Sequence, residues 1–384
     1  MQKWAAMGSD KKNLPASVIV VSQVPPPHHG STIMTQVFLE TLDTLDVNAY
    51  LVERRFSTSV GDVGKFSLIK VLKSVGLLTR FCLALIRIKP AACVLFITNR
   101  PASFLVDWLM TEVLRFFNCP TVNYIHTNGY TALSERNRLF RLLVGRALGA
   151  ARTTVCLGPA LVADVSWAIK GDLAAIPNTP HRLPSVKANR GRNPVFLFLS
   201  NLIPEKGGKE FIQAAAELCE SHSTVSFVVA GAALDVSIYR ELEQLISDSP
   251  HAPRIKLLGK ADEATKWQLL QTSHALVFPS TYAFEAQPLT IVEAMAMALP
   301  VIAYDVGGVR DLVRPGITGQ LVKAKDGRAL RAAMRQLLND PTLVTTLGAN
   351  ARESFDSEFS RESYTSRWSR VLDSISNVGD GARR

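Results

Sequence analysis

Short apolar runs, each followed by a loop and a helix-patterned segment, recur along this chain in two series, and that alternation constrains the fold more than any other feature. The first series opens with Ser17 to Val24 (SVIVVSQV), continuous in its hydrophobicity as a strand covered on both faces must be. Ala92 to Thr98, Thr121 to Ile125, Thr153 to Leu157 and Ala174 to Ile176 repeat the pattern, with helical segments between most of them. Residues Thr179 to Pro194 then break it: they are polar, basic and proline-rich with no apolar period, which marks a linker. A second series begins at Val195 and runs through Val225 to Ala230, Ile255 to Leu258, Ala275 to Pro279, Val301 to Tyr304 and Gln320 to Val322. Strand–helix alternation of this kind builds an α/β fold with parallel sheets. The expectation is two doubly wound, Rossmann-like domains, 1–178 and 195–359, joined by 179–194 and facing across a cleft. The last helix, Arg361 to Ile375, carries Tyr364, Trp368, Val371 and Leu372 on one stripe and needs a surface to cover.

At 384 residues, 47% of them hydrophobic, the chain is long enough for two full cores. Its five cysteines are scattered and form no CxxC pair, which argues against a disulfide framework or a zinc site and for a reducing, cytoplasmic compartment. The first residues lack the apolar core of a signal peptide, and no uncharged apolar run reaches the length of a membrane span. The net charge of +10 suits an anionic substrate or surface. Helix-turn-helix, RNA-recognition and zinc-finger signatures are missing from the sequence, so nucleic acid is set aside.

The basic charge is uneven. From Lys65 to Arg100 there are seven cations and no acid, and Lys73, Arg80 and Arg87 fall seven residues apart on one helical face. Leu68, Ile69, Leu72, Val75, Leu78, Leu85 and Ile86 cover much of the remainder. Such a helix can lie on an anionic leaflet at the inner face of the cell membrane. Its apolar residues equally suit packing on a sheet, the expected role for that face.

The stretch Phe284 to Gly308 (FEAQPLTIVEAMAMALPVIAYDVGG) concentrates the chemistry. Pro288 suits the first helical position, Leu289 to Leu299 is built of strong helix formers, and Pro300 stops the helix. Glu285 precedes the helix and Glu293 lies inside it. Between them the Leu289 and Thr290 amides form a helix N-terminus, which suits a phosphate, while the carboxylates suit sugar hydroxyls. Lys206 follows a strand and precedes a helix, where a lysine can neutralise a diphosphate or be a solvated turn residue. Gly30, in the loop after the first strand, would let a phosphate approach the backbone or serve the turn alone. His126 ends a strand, where open α/β sheets bind ligands, and a histidine satisfied by the local backbone fits there too. The sequence contains no Asp-x-Asp, HExxH or Walker A pattern, so no metal or other cofactor is expected beyond a nucleotide-linked substrate.

These motifs resemble the retaining glycosyltransferases of family 4, the group 1 glycosyltransferases with the GT-B fold. The resemblance rests on SNLIPEKGG (Ser200 to Gly208), VVAG (Val228 to Gly231), LVFPS (Leu276 to Ser280), the run from Phe284 to Val313 with its Glu285-x7-Glu293 pair, and GITGQLV (Gly316 to Val322). The first domain matches more loosely, through PPPHHG, His126 and Ile176 to Asn178. The resemblance implies a metal-independent hexosyl transfer from a nucleotide diphosphate sugar to a glycan or lipid-linked acceptor, in polysaccharide or glycolipid biosynthesis. It gives Glu285 and His126 to the donor sugar and Glu293 to the ribose. Lys206, with the Leu289 and Thr290 amides, goes to the diphosphate, and Gly30 to its approach. It also implies that the last helix (360–384) crosses back to the first domain. The family's usual arginine ahead of the lysine is Asn201 here, and the usual glycine after the first acid is Ala286. A sugar-nucleotide epimerase, which the acid pair disfavours, or a non-catalytic nucleotide-sugar-binding relative is the alternative; Asn201 supports the second, and retention of both acids and Lys206 weighs against it.

Overall fold

The computed structural model describes residues 14–26, 29–54, 68–185 and 188–379. Pro27 and His28 of the first loop, and Lys65 at the start of the basic segment, lie outside them. Among the described residues the chain forms two six-stranded, all-parallel sheets. The first contains β1 (Ser17–Ser22), β2 (Asn48–Glu53), β3 (Ala92–Ile97), β4 (Thr121–Ile125), β5 (Thr153–Cys156) and β6 (Asp172–Ala175), in the order β2-β1-β3-β4-β5-β6. The second contains β7 (Val195–Leu199), β8 (Ser226–Ala230), β9 (Ile255–Gly259), β10 (Ala275–Phe278), β11 (Val301–Tyr304) and β12 (Gly319–Val322), in the order β12-β11-β10-β7-β8-β9. Strands β1, β3, β4, β7 and β10 are almost wholly buried, as continuous apolar runs between two helix layers must be.

The helices of the first domain are α1 (Gly30–Thr44), α2 (Leu68–Ile88), α3 (Pro101–Phe116), α4 (Tyr130–Glu135), α5 (Arg138–Gly149) and α6 (Pro159–Val165). Those of the second are α7 (Gly208–Ser221), α8 (Val236–Ser247), α9 (Glu263–Thr272), α10 (Leu289–Ala296), α11 (Gly327–Asn339) and α12 (Pro341–Ser354). Aspartates start several of them: the Asp235, Asp262, Asp326 and Asp340 side chains accept from first-turn amides of α8, α9, α11 and α12.

Three elements, β2, α4 and α5, are absent from the sequence reading. Strand β2 is an edge strand whose first three residues are exposed, so it lacks a buried strand's apolar run. Helix α4 is a short turn held by Asp164, which accepts from the amides of Gly129, Tyr130 and Thr131. Helix α10 ends at Ala296, not at Leu299. Ala298 adopts a left-handed φ of 52°, and Leu299 N–H reaches back to the Ala294 carbonyl, closing the helix before Pro300. Arg190 then caps the end, donating to the Met297 and Ala298 carbonyls at 2.8 and 2.7 Å and to Ser273 at 2.7 Å.

After α12 a five-residue π-helical turn, Phe355–Phe359, redirects the chain into α13 (Arg361–Gly379). This helix returns to the first domain, as its apolar stripe required. Trp368 packs on Phe38 of α1 with ring centroids 4.3 Å apart, Tyr364 meets Tyr124 of β4 at 3.2 Å, and Arg361 reaches Glu40 at 3.0 Å. Tyr364, Trp368 and Leu372 are buried in the first domain's core.

Candidate active site

In the second sheet the strand order reverses direction between β7 and β10. Open α/β sheets bind ligands outside the strand ends at such a switch point. Lys206 follows β7, and Ser280 and Glu285 follow β10. The two loops are clamped together. Gly207 has a left-handed φ of 83°, and a Cβ there would lie 2.2 Å from the Pro279 carbonyl oxygen, so only glycine allows the approach. Thr281 N–H donates to the Glu205 carbonyl at 2.7 Å. Lys206 is thereby set against the Tyr282 and Phe278 rings, 4.9 and 5.5 Å from their centroids. Its Nζ lies 2.6 Å from Glu285 Oε2, and Ser280 Oγ donates to the same oxygen at 2.8 Å. Glu285 is buried.

The main chain at Glu285 is held from below by Gly307 and Gly308, which open a 3-10 turn after β11. Gly308 N–H donates to the Glu285 carbonyl at 3.3 Å, and a Cβ on Gly308 would fall 1.8 Å from the Ala286 carbonyl oxygen. Ala286 packs with the first domain's core, so the methyl group that replaces the family's usual glycine joins the two domains.

Pro288 sits one position earlier than expected, as the N-cap of α10, so Leu289 and Thr290 begin the helix. Their N–H groups lie in the first turn, outside the intrahelical ladder. Glu293, on the same helix, is buried and pairs with Lys266 of α9 at 2.6 Å. Lys266 also meets Glu263 at 2.9 Å and lies 4.8 Å from the Trp267 ring. Burial pushes the Glu293 carboxyl up, with Lys266 working against it. Burial opposes charge on Lys266, but Glu293 and Glu263 outweigh it and raise its pKa.

The first domain faces this edge with its own strand ends. Its switch point lies between β1 and β3. Gly30 opens α1 after β1, exposed, and among the described residues no neighbour lies within 4 Å of where a Cβ would stand. After β3, Arg100 reaches across: Nη2 donates to Tyr282 Oη at 3.1 Å and the guanidinium lies 4.2 Å over the Phe284 ring. After β4, a Cβ on Gly129 would lie 3.3 Å from the Phe284 ring, so this loop abuts the one carrying Glu285. His126 starts that loop. Its ring stacks on Phe96 at 5.1 Å and meets Tyr124 edge-on at 4.0 Å, and Nε2 is buried with no hydrogen-bond partner among the described residues. Burial lowers its pKa to about 3, so the ring is neutral at any ordinary pH. The local backbone bond that would have satisfied it is not made by Nε2. Elsewhere the domains join through Asn178 Nδ2 donating to the Gln287 carbonyl at 2.9 Å and Ala160 N–H donating to Asp311 at 2.9 Å.

The structure thus brings Lys206 and Glu285 into contact and puts Leu289, Thr290 and Glu293 on the adjoining helix. Asn201 is exposed at the end of β7, and His126 and Gly30 stand on the opposing domain. Ser280, Tyr282, Phe284, Arg100 and Lys266 are additions that the sequence reading missed. For Lys266 a signal existed: Asp262 caps α9, which sets Glu263 and Lys266 three apart on one face. Among the described residues no group of three His, Cys, Asp or Glu side chains is placed to hold a metal ion.

Comparison with known proteins finds a family model that matches part of the chain. The model of the family "Glycosyl transferases group 1" matches residues 182–354. An alpha-D-kanosaminyltransferase of Streptomyces kanamyceticus is 32% identical over 158 residues, 41% of this chain and 40% of that protein. The lipopolysaccharide core biosynthesis mannosyltransferase LpcC of Rhizobium leguminosarum bv. viciae is 32% identical over 178 residues, 46% of this chain and 49% of that one. The match therefore spans less than half the length of either relative. Solved structures extend the likeness of fold to nearly the whole chain. Sucrose-phosphate synthase from Thermosynechococcus elongatus superposes with a TM-score of 0.72 at 19% identity, covering 94% of this chain and 99% of that one. Anabaena HepE in complex with UDP superposes with a TM-score of 0.70 at 18% identity, covering 93% and 100%. The two facing domains are those of the GT-B fold.

Proposed function

We propose that this chain, whose residues 182–354 match the model of the group 1 glycosyl transferases, moves a sugar from a nucleotide diphosphate sugar to a glycan or lipid-linked acceptor with retention of configuration. The observation that carries the reading is the Lys206–Glu285 pair at the β7/β10 switch point, beside the N-terminus of α10. A departing diphosphate needs positive charge, and a preorganised cation with helix amides supplies it where it develops. Lys206 and the Leu289 and Thr290 amides take that role, with Asn201 donating a hydrogen bond where the family carries an arginine. Glu285 accepts from hydroxyls of the donor sugar and stands close to the reacting carbon, where positive charge develops. Glu293, steadied by Lys266, holds the ribose hydroxyls. His126 faces the sugar with a neutral ring, which adds no charge. Gly30 leaves room for the diphosphate beside α1.

Relatives whose names give lipopolysaccharide core and phosphatidylinositol mannoside mannosyltransferases support an acceptor of the glycan or glycolipid class. A structural neighbour solved with UDP-glucose supports a nucleotide hexose as donor. The test is a thermal-shift screen against UDP, GDP, ADP and dTDP sugars. A donor at 100 times its dissociation constant adds about 2.7 kcal/mol of stability. If none of these donors shifts the melting temperature, the reading fails.

A further inference from the structure

The first domain carries an outer face that the sugar-transfer reading leaves unused. Right-handed crossovers place α2, α3 and α5 in one layer on the side of the sheet opposite α1 and α13, and α3 packs against both of the others. Helix α2 buries Leu77, Phe81 and Leu85 toward the sheet. The sequence reading expected its other apolar residues to pack there too; Leu78 does, but several others do not. Leu72, Val75, Leu83 and Ile86 form a second stripe at helical spacing on the outer side, with Leu72 64% exposed. Helix α3 continues the surface with Leu105, Leu109 and Phe116, the last 82% exposed, and α5 with Leu139 and Leu142. Exposed apolar residues gathered on three adjacent helices mark an interaction surface.

The charge on α2 and α5 has one sign. Lys73, Arg80 and Arg87 border the stripe of α2, and Arg138 and Arg141 flank the leucines of α5; all five are exposed. None is in an ion pair among the described residues, and neither α2 nor α5 contains an acid. Glu112, on α3, is already held by Arg146 at 2.5 Å and Arg115 at 3.6 Å. A partner for this face must be apolar at its centre and anionic over its surface. Long cationic side chains around an inserted apolar stripe match a bilayer whose headgroups are negative. Among the described residues no helix is long and apolar enough to cross a membrane, so the contact is one of lying on the surface.

We infer that the outer face of α2, α3 and α5 docks this chain on an anionic lipid bilayer. The inference stands on the surface alone and does not depend on which donor the cleft takes.

The full chain is mixed with phosphatidylcholine vesicles, with and without about 30 mol% phosphatidylglycerol, at physiological salt and floated on a density gradient. Binding is expected on the anionic vesicles and at least about tenfold weaker on the neutral ones. A variant with Arg80→Gln, Arg87→Gln, Arg138→Gln and Arg141→Gln, and a second with Leu72→Ser and Phe116→Ser, should each lose most of it. Arg328→Gln with Arg335→Gln, on α11 of the other domain, should keep it. The shift in melting temperature given by a nucleotide-sugar donor is read alongside and should be the same in all of them, which separates surface from cleft. Equal binding to neutral vesicles, or no flotation at all, would overturn the inference. So would a lipid-free dimer that the same substitutions abolish, since the face would then belong to a second copy of the chain.

Discussion

Lys206 Nζ lies 2.6 Å from Glu285 Oε2, although 79 residues separate them in the chain. The cation assigned to the diphosphate and the carboxylate assigned to the sugar are therefore one electrostatic unit. Lys206→Ala and Glu285→Gln should each lower kcat by about 100- to 1000-fold, the loss found when one preorganised charge partner is removed from a reacting centre. The double variant should lose much less than the product of the two, because either change alone breaks the unit. Steady-state kinetics with the donor found by thermal shift checks this, and full additivity would show that the two act separately.

The Lys266–Glu293 pair makes a different prediction, because Glu293 is buried. Lys266→Met leaves that carboxylate without its cation and should destabilise the fold by about 3 kcal/mol. Glu293→Gln added to it should restore much of the stability while donor affinity stays weak. Chemical denaturation and calorimetric titration with the nucleotide diphosphate read the two effects apart.

His126 gives the fold an acid sensitivity. Its pKa in the folded chain, about 3, lies below the ordinary 6.5, so between those values the unfolded chain binds the extra proton. Stability from this group is complete above pH 6.5 and falls as pH drops toward 3. By pH 5 the loss should reach about 2 kcal/mol. His126→Asn should flatten that part of the stability curve, measured by urea unfolding from pH 7 to pH 5.

Gly308→Ala tests the seat beneath Glu285. A methyl group 1.8 Å from the Ala286 carbonyl oxygen cannot be accommodated unless the Glu285–Ala286 main chain moves. The variant should lose about 1 to 3 kcal/mol of stability and most of its turnover. Gly30→Ala is the contrast: among the described residues nothing lies within 4 Å of its Cβ position, so stability should hold and any loss should appear in donor KM.

Trp368→Ala removes the largest side chain that α13 buries in the first domain. A cost of about 3 to 5 kcal/mol is expected from the lost packing. Thermal unfolding of the full chain provides the measurement.

Much of this architecture could be read without coordinates. Apolar runs and helical stripes fixed the order of strands and helices, because burial on two faces or one leaves a period in the chain. Pro288 and the helix formers after it located the start of α10 to within one residue, and the stripe on α13 announced a surface to be covered. The errors have local causes. β2 is an exposed edge, α4 depends on a distant aspartate, and α10 stops early because Ala298 turns left-handed and Arg190 caps the carbonyls.

The sequence by itself determined two α/β halves, a returning helix and a set of acids, a lysine and a histidine at strand or helix ends. Only the tertiary structure decided which of them touch. Local period carries no information about strand order, and it is the order β7-next-to-β10 that presses Lys206 onto Glu285. It is likewise the packing of α9 on α10 that gives Glu293 its lysine, and the approach of the two domains that sets Arg100 over Phe284. The outer stripe of α2 is the reverse case: the residues were legible, but an apolar helical row looks the same in sequence whether a sheet covers it or nothing does.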